Sequence, residues 1–196
     1  MLSPVAAHDE APLLHADDRE AWHRWLAANH ATARGVWLVT WRARTGRPRL
    51  EYEDAIEEAL CFGWVDGTGG TLDAERGRLY FAPRRPRSVW AASNKARVAR
   101  LAAAGRMAPA GLAAVERAKR DGSWTLLDAA ERLEVPDDLG AALAARPSAT
   151  ANFAALPPSA RKMALAWIAT AKRPETRDRR IVAVAEAAAR NERAVG

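Results

Sequence analysis

Only one cysteine, Cys61, occurs in the 196 residues of this chain, so no internal disulfide can hold the fold together. Lysine is nearly as scarce. Of 30 basic residues, Lys95, Lys119, Lys162 and Lys172 are the lysines and the other 26 are arginines. In an alanine-rich chain this bias reflects a GC-rich coding sequence, and it lowers the weight of any single arginine. Histidine stops at residue 30, and His8, His15, His23 and His30 have no partner at a zinc-type spacing. Neither a metal nor a cofactor is expected. The apolar run from Met163 to Ala171 is too short to span a bilayer. Met1-Leu2-Ser3-Pro4 lacks the basic start and apolar run of a signal peptide. The expectation is a cytoplasmic protein without membrane insertion. The glycines of Gly63–Gly70 lack the Gly-Lys-Ser/Thr ending of a phosphate loop.

What is present suffices for a folded core, with 49% hydrophobic and 28% charged residues. The length fits one ordinary domain, alone or with a small appendage. The net charge of +6 is unevenly spread. Residues 73–106 hold nine basic and two acidic side chains, 51–66 hold six acidic and no basic ones, and 146–196 hold ten basic and four acidic. Basic regions of this kind favour anionic partners such as phosphates, nucleotides or nucleic acid.

Residues 1–16 read as a flexible leader. Asp17 or Asp18 can cap a helix through Asn29 with Trp22, Trp25 and Leu26 on one face. Val36–Trp41 reads as a strand, and 42–49 as a basic loop. A helix from Glu51 to Phe62 carries Tyr52, Ile56, Ala59 and Leu60 as its apolar stripe, with acids on the opposite face. Gly63 leaves that helix into a strand or turn, and Arg78–Phe81 reads as another strand stopped by Pro83 and Pro86. Ser88 is placed as the N-cap of a helix from Val89 to Ala104, and Pro109 opens one through Arg120. The boundary falls within 121–136. Beyond it the pattern is helical at 137–145, 148–155, 158–172 and 175–192. The fold class is therefore α+β: a small antiparallel sheet packed with helices, followed by a C-terminal helical unit.

The stretch from Tyr80 to Lys95 has the densest chemistry. Arg84, Arg85 and Arg87 precede a helix start, where backbone N–H groups and the helix dipole favour an anion and guanidinium forks can bind it. Ser88, Trp90 and Asn94 follow. The competing structural reading pairs these arginines with Glu53, Asp54, Glu57 and Glu58, and assigns Trp90 and Asn94 to core packing. Asp66, after Trp64, is either ordinary Asp-Gly turn chemistry or a base brought near Arg84 and Arg85 through the sheet. Cys61 follows Glu57 by one turn near a helix C-terminus, which suppresses its thiolate and makes it a structural residue. Lys172, Arg173, Arg177 and Arg180 form a basic ridge between the last two helices, either solvated or docked over the same pocket.

Ala59–Gly67, Phe81–Arg85, Ser88-x-Trp90, Asn94-Lys95, Gly105–Leu112 and Ala171–Arg177 resemble the YdeI/OmpD-associated family, over about Trp22 to Arg193. Val65 and Ala82 depart from its more usual Ile and Thr. The resemblance implies a YdeI-like α+β domain over 17–125, an OmpD-associated-like helical unit over 137–196, and a role in bacteriocin or stress tolerance. With the charge pattern, it leads to a binding protein for a small anionic ligand held by Trp64, Arg84, Arg85, Ser88, Trp90, Asn94, Lys172 and Arg177. Two alternatives stand beside it. One is a small enzyme with Asp66 as base and Arg84 or Arg85 stabilising negative charge. The other is nucleic-acid binding through the basic surface.

Overall fold

Asp18 begins the first helix as expected: its side chain accepts a 2.7 Å hydrogen bond from the Ala21 N–H, capping α1 (Arg19–Asn29). The computed structural model describes residues 10–195. These fall into two units, one within 10–88 and 93–121, the other within 89–92 and 122–195.

The first unit is built on a sheet of order β1-β2-β4-β3, with β1 Leu13–His15, β2 Val36–Trp41, β3 Trp64–Thr71 and β4 Arg76–Pro83. β4 pairs antiparallel with both β2 and β3, but β1 runs parallel to β2, so the sheet is mixed rather than wholly antiparallel. β1 comes from the segment expected to be a loose leader. Leu13–His15 lacks an apolar alternation but finds the edge of β2, with the Trp37 N–H donated to the Pro12 carbonyl at 2.9 Å. Residues 1–9 of that leader lie outside the described residues.

The β2–β4 register sorts the side chains. Val36 lies opposite Phe81, Leu38 opposite Leu79 and Thr40 opposite Gly77 on one face; Trp37 opposite Tyr80, Val39 opposite Arg78 and Trp41 opposite Arg76 on the other. The first face meets the helices. Trp22 of α1 packs on Phe81 with centroids 5.2 Å apart and donates its indole N–H to the Ala55 carbonyl at 3.0 Å.

Ala55 belongs to α2 (Tyr52–Cys61), which is buried almost all round. Here the expected amphipathicity fails at both ends. Tyr52, assigned to the apolar stripe, is 59% exposed, whereas Glu57 and Glu58, assigned to the solvent face, are 7% and 2% exposed. The helix is enclosed because α1, α3 (Ala92–Ala103) and α4 (Pro109–Arg120) all supply partners to it. Gly63, at φ +74, then turns the chain into β3 in a backbone region that side chains rarely adopt.

Ser88 does not cap a helix. Pro86 and Arg87 form a turn, Arg87 at φ 59 donates its N–H to Asp121 Oδ2 at 3.0 Å, and α3 begins at Ala92. The second unit packs α5 (Asp128–Glu131), α6 (Asp137–Ala144), α7 (Ala149–Ala155), α8 (Pro158–Ala169) and α9 (Pro174–Ala189). Its core is Leu139, Leu143, Phe153, Leu165, Ile168, Ile181 and Val184 with interleaved alanines. No helix among the described residues is long and apolar enough to cross a membrane.

Candidate functional site

Asp66 is the last regular residue of β3 before the register shifts between it and Gly69. Bulges of this kind re-aim side chains. Here Asp66 meets the first residue of α2: the Tyr52 hydroxyl donates to its Oδ2 at 3.3 Å. Partial burial, then the charge and hydrogen bond of Asp66, push the Tyr52 phenol above its ordinary pKa, so it remains a protonated donor at neutral pH.

Arg84 follows the end of β4. Its N–H is donated to the Gly63 carbonyl at 3.0 Å, and its own carbonyl accepts from Arg117 Nη2 at 3.2 Å. These bonds fix the backbone while the side chain is drawn inside to 5% exposure. Burial pulls the guanidinium pKa down to about 10, and the Asp66 carboxylate opposes that shift. The group stays charged at neutral pH.

Asn94 joins the cluster through Arg97. Its Oδ1 accepts from Arg97 Nη1 at 3.0 Å, and Arg97 forks over Glu53 with contacts of 2.8 and 2.7 Å. Hydrogen bonding to Glu53 outweighs desolvation and raises the Arg97 pKa; the same bond depresses Glu53. Tyr52 is thus joined to Asp66, and Asn94 to Arg97 and Glu53, while the Asp66 carboxylate acts electrostatically on both Arg84 and Arg97.

The other expected site residues have different settings. Trp64 is core: its indole N–H reaches the His30 carbonyl at 3.3 Å and its ring meets Trp25 edge-on at 5.7 Å. Arg85 is exposed and makes no ion pair among the described residues, and its carbonyl accepts the Ser88 N–H at 3.1 Å. Trp90, buried, belongs to the second unit, tilted on Trp124 at 5.0 Å. Lys172 and Arg177 also belong there. Lys172 is exposed, and Arg177 forks onto Asp138 at 2.8 and 3.0 Å, a bond that holds the Asp138 carboxyl below its usual pKa.

The acids of α2 have distinct partners. Arg19 reaches Asp54, Glu57 and Glu58, each at 2.6 Å. Arg106 contacts Glu57 and Glu58, Arg100 contacts Glu53 and Glu57, and His23 Nδ1 lies 2.7 Å from Glu58. Burial, then the charge of Glu58, pushes the Cys61 thiol up to about 11. Among the described residues, no three His, Cys, Asp or Glu side chains gather as a metal site requires.

Residues 14–114, just over half of the chain, match the family described as Domain of unknown function (DUF8412). The chain belongs to that family. Residues 132–191 of this DUF8412 protein match a second family, described as Bacteriocin-protection, YdeI or OmpD-Associated, so the YdeI/OmpD-associated label holds for its C-terminal part. No curated protein and no solved structure matches it. The Tyr52–Asp66–Arg84–Arg97 cluster lies wholly within the DUF8412 stretch, whereas Lys172 and Arg177 lie in the YdeI/OmpD-associated one. Sequence reasoning missed Tyr52, Glu53 and Arg97 as site residues. The Asn94–Arg97 spacing was a usable signal, because residues three apart share a helix face. Nothing local pointed from Arg97 to Glu53, 44 residues earlier.

Proposed function

We propose that the DUF8412 part is a binding module for a small anionic ligand, received beside Arg84 with Tyr52, Asp66 and Arg97 around it. The observation that carries this reading is the state of Arg84. It is a charged guanidinium drawn in to 5% exposure beside the Asp66 carboxylate, at the end of β4. A phosphate or carboxylate beside it would be held by charge-assisted hydrogen bonds. Tyr52, protonated and largely exposed, adds a hydroxyl at the same place. Arg85 and Ser88, on the turn that follows, extend the basic wall. The family description of the C-terminal part supports a cellular role in bacteriocin tolerance.

A thermal-shift panel of inorganic phosphate, nucleoside monophosphates and small carboxylates tests this. A ligand at about 100 times its Kd adds about 2.7 kcal/mol of stability, which for a chain this size raises Tm by roughly 5–10 °C. Arg84→Gln should abolish the rise. A panel without any shift, or a shift that persists undiminished in Arg84→Gln, would overturn the reading.

A further inference from the structure

The sheet face turned away from α1 and α2 carries a second kind of chemistry, separate from Asp66 and Arg84. The register places Trp37, Val39 and Trp41 of β2 on it beside Tyr80, Arg78 and Arg76 of β4. Three arginines lie against its indoles. The Arg78 guanidinium carbon is 4.3 Å from the Trp37 ring centroid, that of Arg47 is 4.1 Å from Trp41, and that of Arg76 is 5.8 Å from the same ring. Tyr80 tilts on Trp37 at 5.3 Å. A guanidinium laid on an indole is held by cation–π attraction, while its edge N–H groups still point away in the plane of the fork. Such a pair presents pre-oriented donors to an anion.

Local charge is in excess. Residues 41–49 and 71–78 contain six arginines and two acids. Arg76 is matched by Asp73 at 2.6 Å, Arg47 by Glu75 at 3.7 Å, and Arg49 by Glu51 at 3.0 Å. Arg42 and Arg44 spend their donors on neutral oxygens, the Thr71 hydroxyl and the Ala74 carbonyl. Arg78 makes no ion pair among the described residues, and its Nε is buried without a hydrogen-bond acceptor. Positive charge is therefore repeated along β4, where Arg76 and Arg78 are alternate residues roughly 7 Å apart, and continues in the 42–49 segment that follows β2.

We infer that this arginine–tryptophan face binds the backbone of single-stranded nucleic acid. A chain of phosphates matches several cations better than one small anion does, and half-buried Tyr80, with the guanidinium planes laid on Trp41, offers flat faces that unstacked bases can meet. A duplex keeps its bases stacked and paired inside, away from such faces, whereas a single strand can turn them outward. A membrane surface fits poorly, since the indoles are covered by guanidinium groups rather than open for insertion.

Fluorescence anisotropy with a labelled oligothymidylate of roughly 20 nucleotides tests the inference. With about three phosphates neutralised, log K should fall against log salt with a slope near −2, because each contact on a single strand contributes about −0.7. Arg78→Ala should weaken binding roughly tenfold at about 50 mM salt and make the slope shallower by about 0.7. Arg47→Ala, at a more exposed position, should act likewise and carries the test if Arg78→Ala unfolds, as a thermal melt would reveal. Arg24→Ala, whose partner is Glu20 on α1, should change nothing. Absence of binding at low salt, salt-independent binding, or undiminished affinity in the Arg47→Ala/Arg78→Ala double variant would overturn the inference. So would equal affinity for a duplex of the same length or for phosphatidylglycerol vesicles.

Discussion

Gly111 lies against the Cys61 carbonyl so closely that a Cβ on residue 111 would sit 2.2 Å from that oxygen. The Ala108 N–H is donated to the same carbonyl at 3.0 Å, so the C-terminus of α2 and the start of α4 are joined through backbone. No flexible side chain can move aside to admit a methyl group. Gly111→Ala should therefore force the helices apart and cost about 1–3 kcal/mol or more. Urea titration should show a lowered midpoint, and an unchanged midpoint would mean that the two helices are less tightly joined than this contact implies.

Glu58 makes a different demand. It is 2% exposed and receives Arg19, Arg106 and His23. Removing it leaves Arg19 and Arg106 with Glu57 but without their second carboxylate, and losing hydrogen bonds to a charged group costs about 1.5–3 kcal/mol. Glu58→Ala should lose stability on that scale, strongly enough to reduce soluble yield. Replacing Glu116, exposed and paired with Lys119, should leave the midpoint close to that of the parent. Chemical denaturation of the two variants side by side checks the contrast.

Much of the fold was legible because its signals are local. Asp18 as a cap, the strand at Val36–Trp41, the α+β class and the helices opened by prolines at 109, 158 and 174 all follow from a few adjacent residues. The failures share one cause, long-range pairing. Leu13–His15 is a strand only because β2 offers an edge, and Glu57 and Glu58 are buried only because Arg19 arrives from α1, Arg100 from α3 and Arg106 from the segment before α4. Periodicity assigns an acid to solvent, and nothing within α2 itself announces three incoming guanidinium groups. At the candidate site the same limit applies. Asp66 and Arg84 stood out locally, while Tyr52 and Arg97 acquire meaning only through the bulge after Asp66 and the fork on Glu53.

The carboxylates paired in this way set the response to acid. Burial alone would push Glu57 up, but hydrogen bonds and charge from Arg100 and Arg19 bring it below its ordinary value. Asp138 is held down mainly by Arg177. A group depressed in the folded state contributes stability that is complete above its unfolded pKa and is lost as pH falls through the folded one. The window therefore opens near pH 4 and extends downward. Tm should hold level from about pH 7 to about pH 5 and then fall. Asp138→Asn, in the second unit, should flatten part of that fall; a profile identical to the parent would assign the loss to other carboxylates.

Cys61 gives a probe of the same packing. Thiolate, not thiol, reacts with alkylating and disulfide reagents, and burial with the nearby Glu58 charge lifts this thiol to about 11. Relative to an ordinary thiol near 9, the thiolate fraction at moderately alkaline pH drops roughly a hundredfold, and burial blocks access to what remains. The native protein should label with iodoacetamide far more slowly than the urea-unfolded chain. Since Cys61 closes α2 beneath Gly111, Gly111→Ala should raise the native rate as the helices open. Fast labelling of the parent protein would show that the thiol is reached without opening. An unaltered rate in Gly111→Ala, alongside a lowered urea midpoint, would place its lost stability away from the Cys61 contact.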